Sequence, residues 1–225
     1  YKRQVIAKPG LEKWLTKQGS PEAMAEKRKK ITNFGSLVHE TIERIMMGED
    51  PQIDESIAPS IDAFYNWYKE HKVRALDVER RIVSRQYVYA GNIDVLAEID
   101  GRFGVLDIKT AEKAWDDHFI QTSAYVQAYN ESGLRKAETH WILVVDQFGE
   151  CAKCGARARD KGGDMDIKGG DPFCSHQWLA TRGFCELVEV DDREKFLEIF
   201  LTARKLWELL NQDILAQIEN YARRA

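Results

Sequence analysis

Residues 91–110 read Gly-Asn-Ile-Asp-Val-Leu-Ala-Glu-Ile-Asp-Gly-Arg-Phe-Gly-Val-Leu-Asp-Ile-Lys-Thr, and this stretch decides the fold. Ile93, Val95, Ala97 and Ile99 occupy alternate positions, and Gly104, Leu106 and Ile108 do so again after Asp100-Gly101. A period of two marks a strand, and Asp-Gly between two such runs is a strong hairpin signal. A two-residue turn there pairs Ile99 with Arg102. It sets Asp94 opposite Asp107, with Cβ atoms about 4.5–5.5 Å apart. Lys109 falls on the same face as Asp107. Facing carboxylates repel unless something sits between them, and a divalent cation such as Mg²⁺ is the natural occupant, because hard cations take oxygen ligands. A lysine beside it can orient a water or neutralise a phosphate, as metal-assisted phosphodiester hydrolysis requires. The plainer reading is a polar outer face with a salt-bridging lysine, and a different turn would shift the register.

Outward from the hairpin, helix and strand signals alternate. Upstream, Phe34, Leu37, Val38, Ile42, Ile45 and Met46 recur at helical spacing, with Gly19-Ser20-Pro21 as a start and Gly48 as a stop. A second helix fits Ile57 to His71, and residues 77–109 read as strands. Downstream, a helix fits about residues 117–131, followed by an apolar strand from Trp141 to Val145. Residues 149–172 are rich in glycine without apolar periodicity and read as a loop. Phe184 to Val190 is a returning strand. A last helix starts near Asp191-Asp192, acidic residues that suit a helix N-terminus. The expected fold is α/β (α+β), a central mixed sheet flanked by helices.

The composition narrows the classes. The chain has 225 residues, 44% hydrophobic and 31% charged, which excludes disorder, collagen-like repeats and a disulfide mini-scaffold. No apolar run approaches the roughly 18 residues of a membrane span, so no membrane partner is expected. The first residues, Tyr1-Lys2-Arg3-Gln4, do not read as a signal peptide, and the missing initiator Met points to a true start further upstream. Length fits a single domain over residues 1–225. Lys and Arg number 33 against 37 Asp and Glu, a net charge of −4, so any case for nucleic acid rests on local residues.

Together, Gly91-Asn-Ile-Asp94 and Val105-Leu-Asp107-Ile-Lys109-Thr110 resemble the signature of the PD-(D/E)xK nucleases. The closest likeness is to their RecB-like exonuclease branch, which includes mitochondrial genome maintenance exonucleases and many phage nucleases. Gly35-Ser-Leu-Val-His39 resembles the Gly-x-x-x-His helix of that branch, and Gln121-x-x-x-Tyr125 its Gln-x-x-x-Tyr helix. Lys8-Pro9 with Leu11 and Trp14 is similar to the segment that opens phage members. The likeness spans about residues 8–148 and the final helix, and it implies a restriction-endonuclease-like core. By this resemblance Asp94 and Asp107 ligate Mg²⁺ or Mn²⁺, with the Ile108 carbonyl and His39 completing the shell. Lys109 is then the catalytic lysine, and Gln121 and Tyr125 organise the site or touch the DNA backbone. Taken singly, His39 reads as a surface histidine and Tyr125 as core. Glu43, one turn after His39, is a supporting partner or a solvated residue; Glu79 and Glu98 stay open.

All four cysteines fall between Cys151 and Cys185, which reads as metal binding in a reducing compartment. Residues 150–186 form a cysteine-rich insertion within the domain. Cys151, Cys154, Cys174 and His176 fit a structural zinc site, with Cys185 as an alternative fourth ligand. A four-cysteine iron–sulfur cluster, found in some members with a Cas4-like nuclease, is the other option. In those members one cysteine precedes the nuclease core, and here none does. Lys153, Arg157, Arg159 and Lys161 give the insertion a basic edge suited to phosphates or simply to solvent.

The expected function is a metal-dependent DNA exonuclease acting at DNA ends or on single strands, in a bacterial or phage-infected cytoplasm. The rival is a non-catalytic DNA-binding module of the same fold, which would have no chemical need for Asp94, Asp107 and Lys109. Gly162-Gly163 and Gly169-Gly170 lack the Gly-Lys-Ser/Thr ending of a phosphate-binding loop.

Overall fold

The computed structural model describes residues 21–132, 135–159 and 166–217. Lys8, Pro9, Leu11, Trp14 and Lys161 lie outside them. Helices α1 (Pro21–Met46) and α2 (Ala58–Glu70) lead into strands β1 (Val73–Ser84), β2 (Tyr89–Ile99) and β3 (Arg102–Lys109). Helix α3 (Asp116–Asn130) is followed by β4 (Thr139–Glu150), the short strands β5 (Arg157–Arg159) and β6 (Asp166–Lys168), and β7 (Arg182–Glu189). Helices α4 (Arg193–Leu210) and α5 (Gln212–Ala216) close the described chain. Seven strands form one mixed sheet in the order β1-β2-β3-β4, with β7 also paired to β4 and the β5–β6 hairpin joined to the far end of β4. The β3–β4 pair is parallel and the others are antiparallel. The stretch 149–172, read as a loop, carries β5 and β6. Its glycines hid three-residue strands, too short for any periodicity to register.

Apolar residues fill both sides of the sheet. Val38 and Ile42 of α1 and Ile61 and Phe64 of α2 pack with Val95, Leu106, Ile108 and Leu143 on one face. Ile120 and Ala124 of α3 and Phe196 and Phe200 of α4 pack with Leu96, Val105 and Ile142 on the other. The sheet is thus a middle layer with helices on both sides, which protects the parallel pair. Asp192 caps α4, its side chain accepting from the Lys195 N–H at 3.1 Å.

The hairpin has the expected register. Ile99 pairs with Arg102 and the ladder continues to Val95–Leu106. Asp100 and Gly101 have φ of 51° and 86°, the turn that Asp-Gly favours. Beyond Val95–Leu106 the ladder gives way, one step before Asp94 and Asp107. There the alternation of faces also slips. Val95 packs on the α1–α2 side and Ile93 on the α3–α4 side, although both are odd-numbered. On β1, Val78 pairs with Val95 and Arg80 with Ile93. Between them stands Glu79 with φ 48°, a strained value for a non-glycine residue.

Candidate active site and metal centre

Asp94 lies where β2 leaves the ladder, and its carboxylate makes the bond that the backbone no longer makes. Its Oδ2 accepts from the Ile108 N–H at 2.8 Å. His39 Nδ1 is 3.6 Å from the same oxygen. Asp107 is fully buried, with Lys109 Nζ 2.5 Å from its Oδ2 and no hydrogen-bond donor at its Oδ1. Lys109 also donates to the Ile108 carbonyl at 3.3 Å. The structure therefore brings His39, Asp94, Asp107, Ile108 and Lys109 together from α1, β2 and β3.

Two glycines admit the flanking helices. A Cβ at Gly91 would sit 2.5 Å from Tyr125 Cε1, so the ring of Tyr125 occupies the space a side chain would need. A Cβ at Gly35 would meet Thr110 Oγ1 at 3.2 Å, so α1 closes tightly on the end of β3. On α3, Gln121 Nε2 donates to Tyr125 Oη at 2.5 Å. Tyr125 is close enough for its hydroxyl to feel Asp107, Lys109 and Asp94.

The electrostatics are those of an acidic pocket short of positive charge. Burial raises the carboxyl of Asp94 and pushes Asp107 up to about 6, against the pull of Lys109. Burial opposes the charge on Lys109, yet Asp107 and Asp94 hold it above the ordinary lysine range. His39 is lowered to about 4 by burial and by Lys109, so its imidazole is neutral at physiological pH and offers a lone pair.

Two more acids stand beside this group, Glu43 on α1 and Glu79 on β1. Burial, with Glu79 and Asp94 nearby, raises Glu43 to about 8, and one of its oxygens is buried without a partner. Glu79 accepts from Asn92 Nδ2 at 3.2 Å and faces Glu43 and His39. Glu43 follows His39 by one turn of α1, whereas the backbone slip is what brings Glu79 into the group, and no periodicity forecasts a slip. Glu98, also left open, is bound by Arg74 and Arg135 at the hairpin end, away from this group.

The second centre lies in the insertion. Among the described residues, Cys151, Cys154, Cys174 and His176 alone bring three or more ligand atoms of His, Cys, Asp or Glu within 4.8 Å of one another. Asp94, Asp107 and His39 are set wider. Cys151 Sγ and Cys174 Sγ are 4.0 Å apart, and Cys154 Sγ and His176 Nδ1 are 3.4 Å apart. A tetrahedral ion with metal–sulfur bonds of about 2.3 Å and metal–nitrogen bonds of about 2.0 Å spans edges of roughly 3.5–3.8 Å, so the donor set fits a single metal ion. Gly155, with φ 68°, turns the chain after Cys154, and the Gln177 N–H points at Cys151 Sγ at 3.4 Å. Burial acts to raise the Cys151 thiol, but N–H groups of Lys153, Cys154 and Gln177 bring it down to about 5. No disulfide joins these cysteines.

Cys185 is not a ligand in this arrangement. It sits on β7 opposite Val145, packed against the core, and burial alone pushes its thiol up to about 12. The four-thiolate alternative falls with it, because a strand facing the core cannot turn its side chain out to the insertion. The basic edge is also redistributed: Lys153 donates to Ser175, whereas Arg157 and Arg159 face the sheet.

No protein-family model matches the chain, and no curated protein does. No helix among the described residues is long and apolar enough to cross a membrane.

Proposed function

We propose that the protein is a metal-dependent deoxyribonuclease that hydrolyses phosphodiester bonds at DNA ends or on single strands. The observation that carries this reading is the buried Asp107, with one oxygen unpartnered, Lys109 against the other, and Asp94 and a neutral His39 alongside. Such a group is costly to bury unless a cation completes it. Mg²⁺ or Mn²⁺ would be held by Asp94, Asp107, the Ile108 carbonyl and His39, and would supply Lewis acidity and an activated water.

The chain's own residues account for the remaining chemistry. Lys109, anchored between Asp107 and the Ile108 carbonyl, directs its remaining protons to a water or a phosphate oxygen. Tyr125 receives a hydrogen bond from Gln121, so its own proton is free to be donated to a phosphate oxygen. Burial of Asp107 and Asp94 keeps bulk water from screening these charges. In the insertion, Cys151, Cys154, Cys174 and His176 would hold Zn²⁺ as a structural ion. An iron–sulfur cluster is disfavoured because it would stand between its cysteines, and these four ligand atoms are already within 4.8 Å of one another.

The test is digestion of end-labelled linear, closed circular and single-stranded DNA with Mg²⁺ or Mn²⁺. Linear and single-stranded substrates are expected to be degraded and circles spared. Equal cleavage of circles would remove the exonuclease part, and inertness toward every substrate would refute the enzyme.

A further inference from the structure

A basic pocket adjoins the candidate active site on the same sheet face. Lys109 lies beside Val144 on β4, and Asp146 is the next residue along β4 to face that side. Two residues along a strand and one strand across place Asp146 about 8 Å from Lys109, backbone to backbone. Around Asp146 lies a cavity of about 40 Å³ lined by Glu112, Phe148, Arg157, Arg159, Lys168 and Phe184. Three of these residues are cations contributed by the β5–β6 hairpin of the insertion. Glu112 belongs to the loop that leaves Lys109.

Within the cavity lining the cations outnumber the carboxylates. Arg159 Nε is 2.5 Å from Asp146 Oδ2, but its Nη2 is buried with no hydrogen-bond partner. Lys168 Nζ is 2.6 Å from Glu112 Oε2 and, outside the cavity lining, 3.8 Å from Asp166 Oδ2. Arg157 has no carboxylate within ion-pair distance among the described residues; its guanidinium lies over the Phe148 ring, 4.7 Å from the centroid. Lys168 holds Glu112 below the usual carboxylate range, and Arg159 and Arg157 act on it in the same direction, so all three cations share one field. Among the described residues the cavity lining itself holds three positive charges and two negative ones, and a buried guanidinium N–H stands without an acceptor. A phosphate oxygen would supply that acceptor.

We infer that Arg157, Arg159 and Lys168 form a subsite for one nucleic-acid backbone phosphate adjoining the phosphate that is cut. This rests on the nuclease reading above. The cavity has room for about three water-sized oxygens, enough for the two non-bridging oxygens of one phosphate and too little for a base. Arginine presents planar forks of donors to such oxygens. The metal-held insertion then acts as a clamp that carries these cations to the strand.

The experiment measures binding of a fluorescein-labelled single-stranded oligothymidylate by anisotropy, with Ca²⁺ to suppress turnover, across a salt series. The proteins compared are wild type, Arg157→Gln, Lys168→Gln and Arg157→Lys. Arg159 is left intact, since its loss would strand Asp146. Each Gln variant is expected to bind several-fold more weakly at low salt. Its log–log salt slope should be measurably shallower, by up to about 0.7, the value of the one shared phosphate contact on a single strand. Arg157→Lys should recover the slope, which a merely unfolded insertion would not do. Unchanged slopes and affinities in both Gln variants would overturn the subsite. So would a slope that falls in Arg157→Gln and stays low in Arg157→Lys. Cleavage assayed in parallel with Mn²⁺ separates the two readings: a wild type that binds with the full slope but never cuts counts against the nuclease alone.

Discussion

Asp107 concentrates the argument at the scale of single residues. Burial raises its pKa from 3.8 to about 6, so its contribution to stability is complete below pH 3.8 and lost as the pH rises through 6. Above neutrality its charge opposes folding unless a cation compensates. Mg²⁺ or Mn²⁺ is therefore expected to raise the melting temperature of the wild type at pH 8 by several degrees. Asp107→Asn should lose that rise together with cleavage. Scanning calorimetry with and without the ion checks it, and an equal rise in the variant would disconnect Asp107 from any metal. The turn was legible from Asp-Gly and carries the register as far as Val95–Leu106, one step short of Asp94 and Asp107. Lys109 meets Asp107 because both lie on one face of β3. Glu43 was legible as a neighbour of His39 one helical turn on, whereas Glu79 was not. Glu79 enters through a positive φ on β1, a tertiary distortion that leaves no mark in residue spacing.

At the scale of elements, the cysteine insertion shows where pattern reading fails. Its candidate ligands are legible from Cys-x-x-Cys and Cys-x-His, but its two short strands are not, and Cys185, the alternative fourth ligand, lies outside the cluster. Spacing alone cannot tell that β7 turns this thiol toward the core. The insertion contributes few apolar groups, among them Ala156 and Ala158, so metal binding is expected to supply much of its folding energy. A Cys151→Ser/Cys154→Ser variant should lose one bound zinc per chain and expose residues 150–186 to protease. Limited proteolysis with metal analysis decides it. Resistance equal to the wild type would mean that the insertion folds without metal, and a brown protein containing iron and sulfide would establish the cluster instead. Because Lys168 and Glu112 tie the hairpin to the loop after Lys109, loss of the metal should also weaken DNA binding.

For the whole molecule, the order of the longer helices and strands followed from apolar periodicity, and so did the placement of helices on both sides of the sheet. The packing of β7 against β4 did not, since nothing local specifies a strand's distant neighbour. One buried group reports on the entire fold without touching the site. His140, 1% exposed and 3.1 Å from Ser123 Oγ, is lowered from 6.5 to about 4 by burial and by Arg193. Below pH 6.5 the unfolded chain takes up a proton that the native state refuses until about pH 4. Stability should therefore fall across that window by as much as about 3 kcal/mol. Denaturant melts at pH 7 and pH 4 should show a smaller fall in His140→Gln. Parallel behaviour of the two proteins would contradict the assignment.

The nuclease reading itself turns on the lysine beside the carboxylates. The deciding measurement is the single-turnover rate of hydrolysis of an end-labelled DNA strand, with Mn²⁺, by wild type and by Lys109→Ala, alongside their binding of the same strand. Cleavage by the wild type, its loss by at least about a hundredfold in the variant, and nearly equal binding by both are the expected result. Cleavage by Lys109→Ala at the wild-type rate, or no metal-dependent cleavage by the wild type, would contradict it.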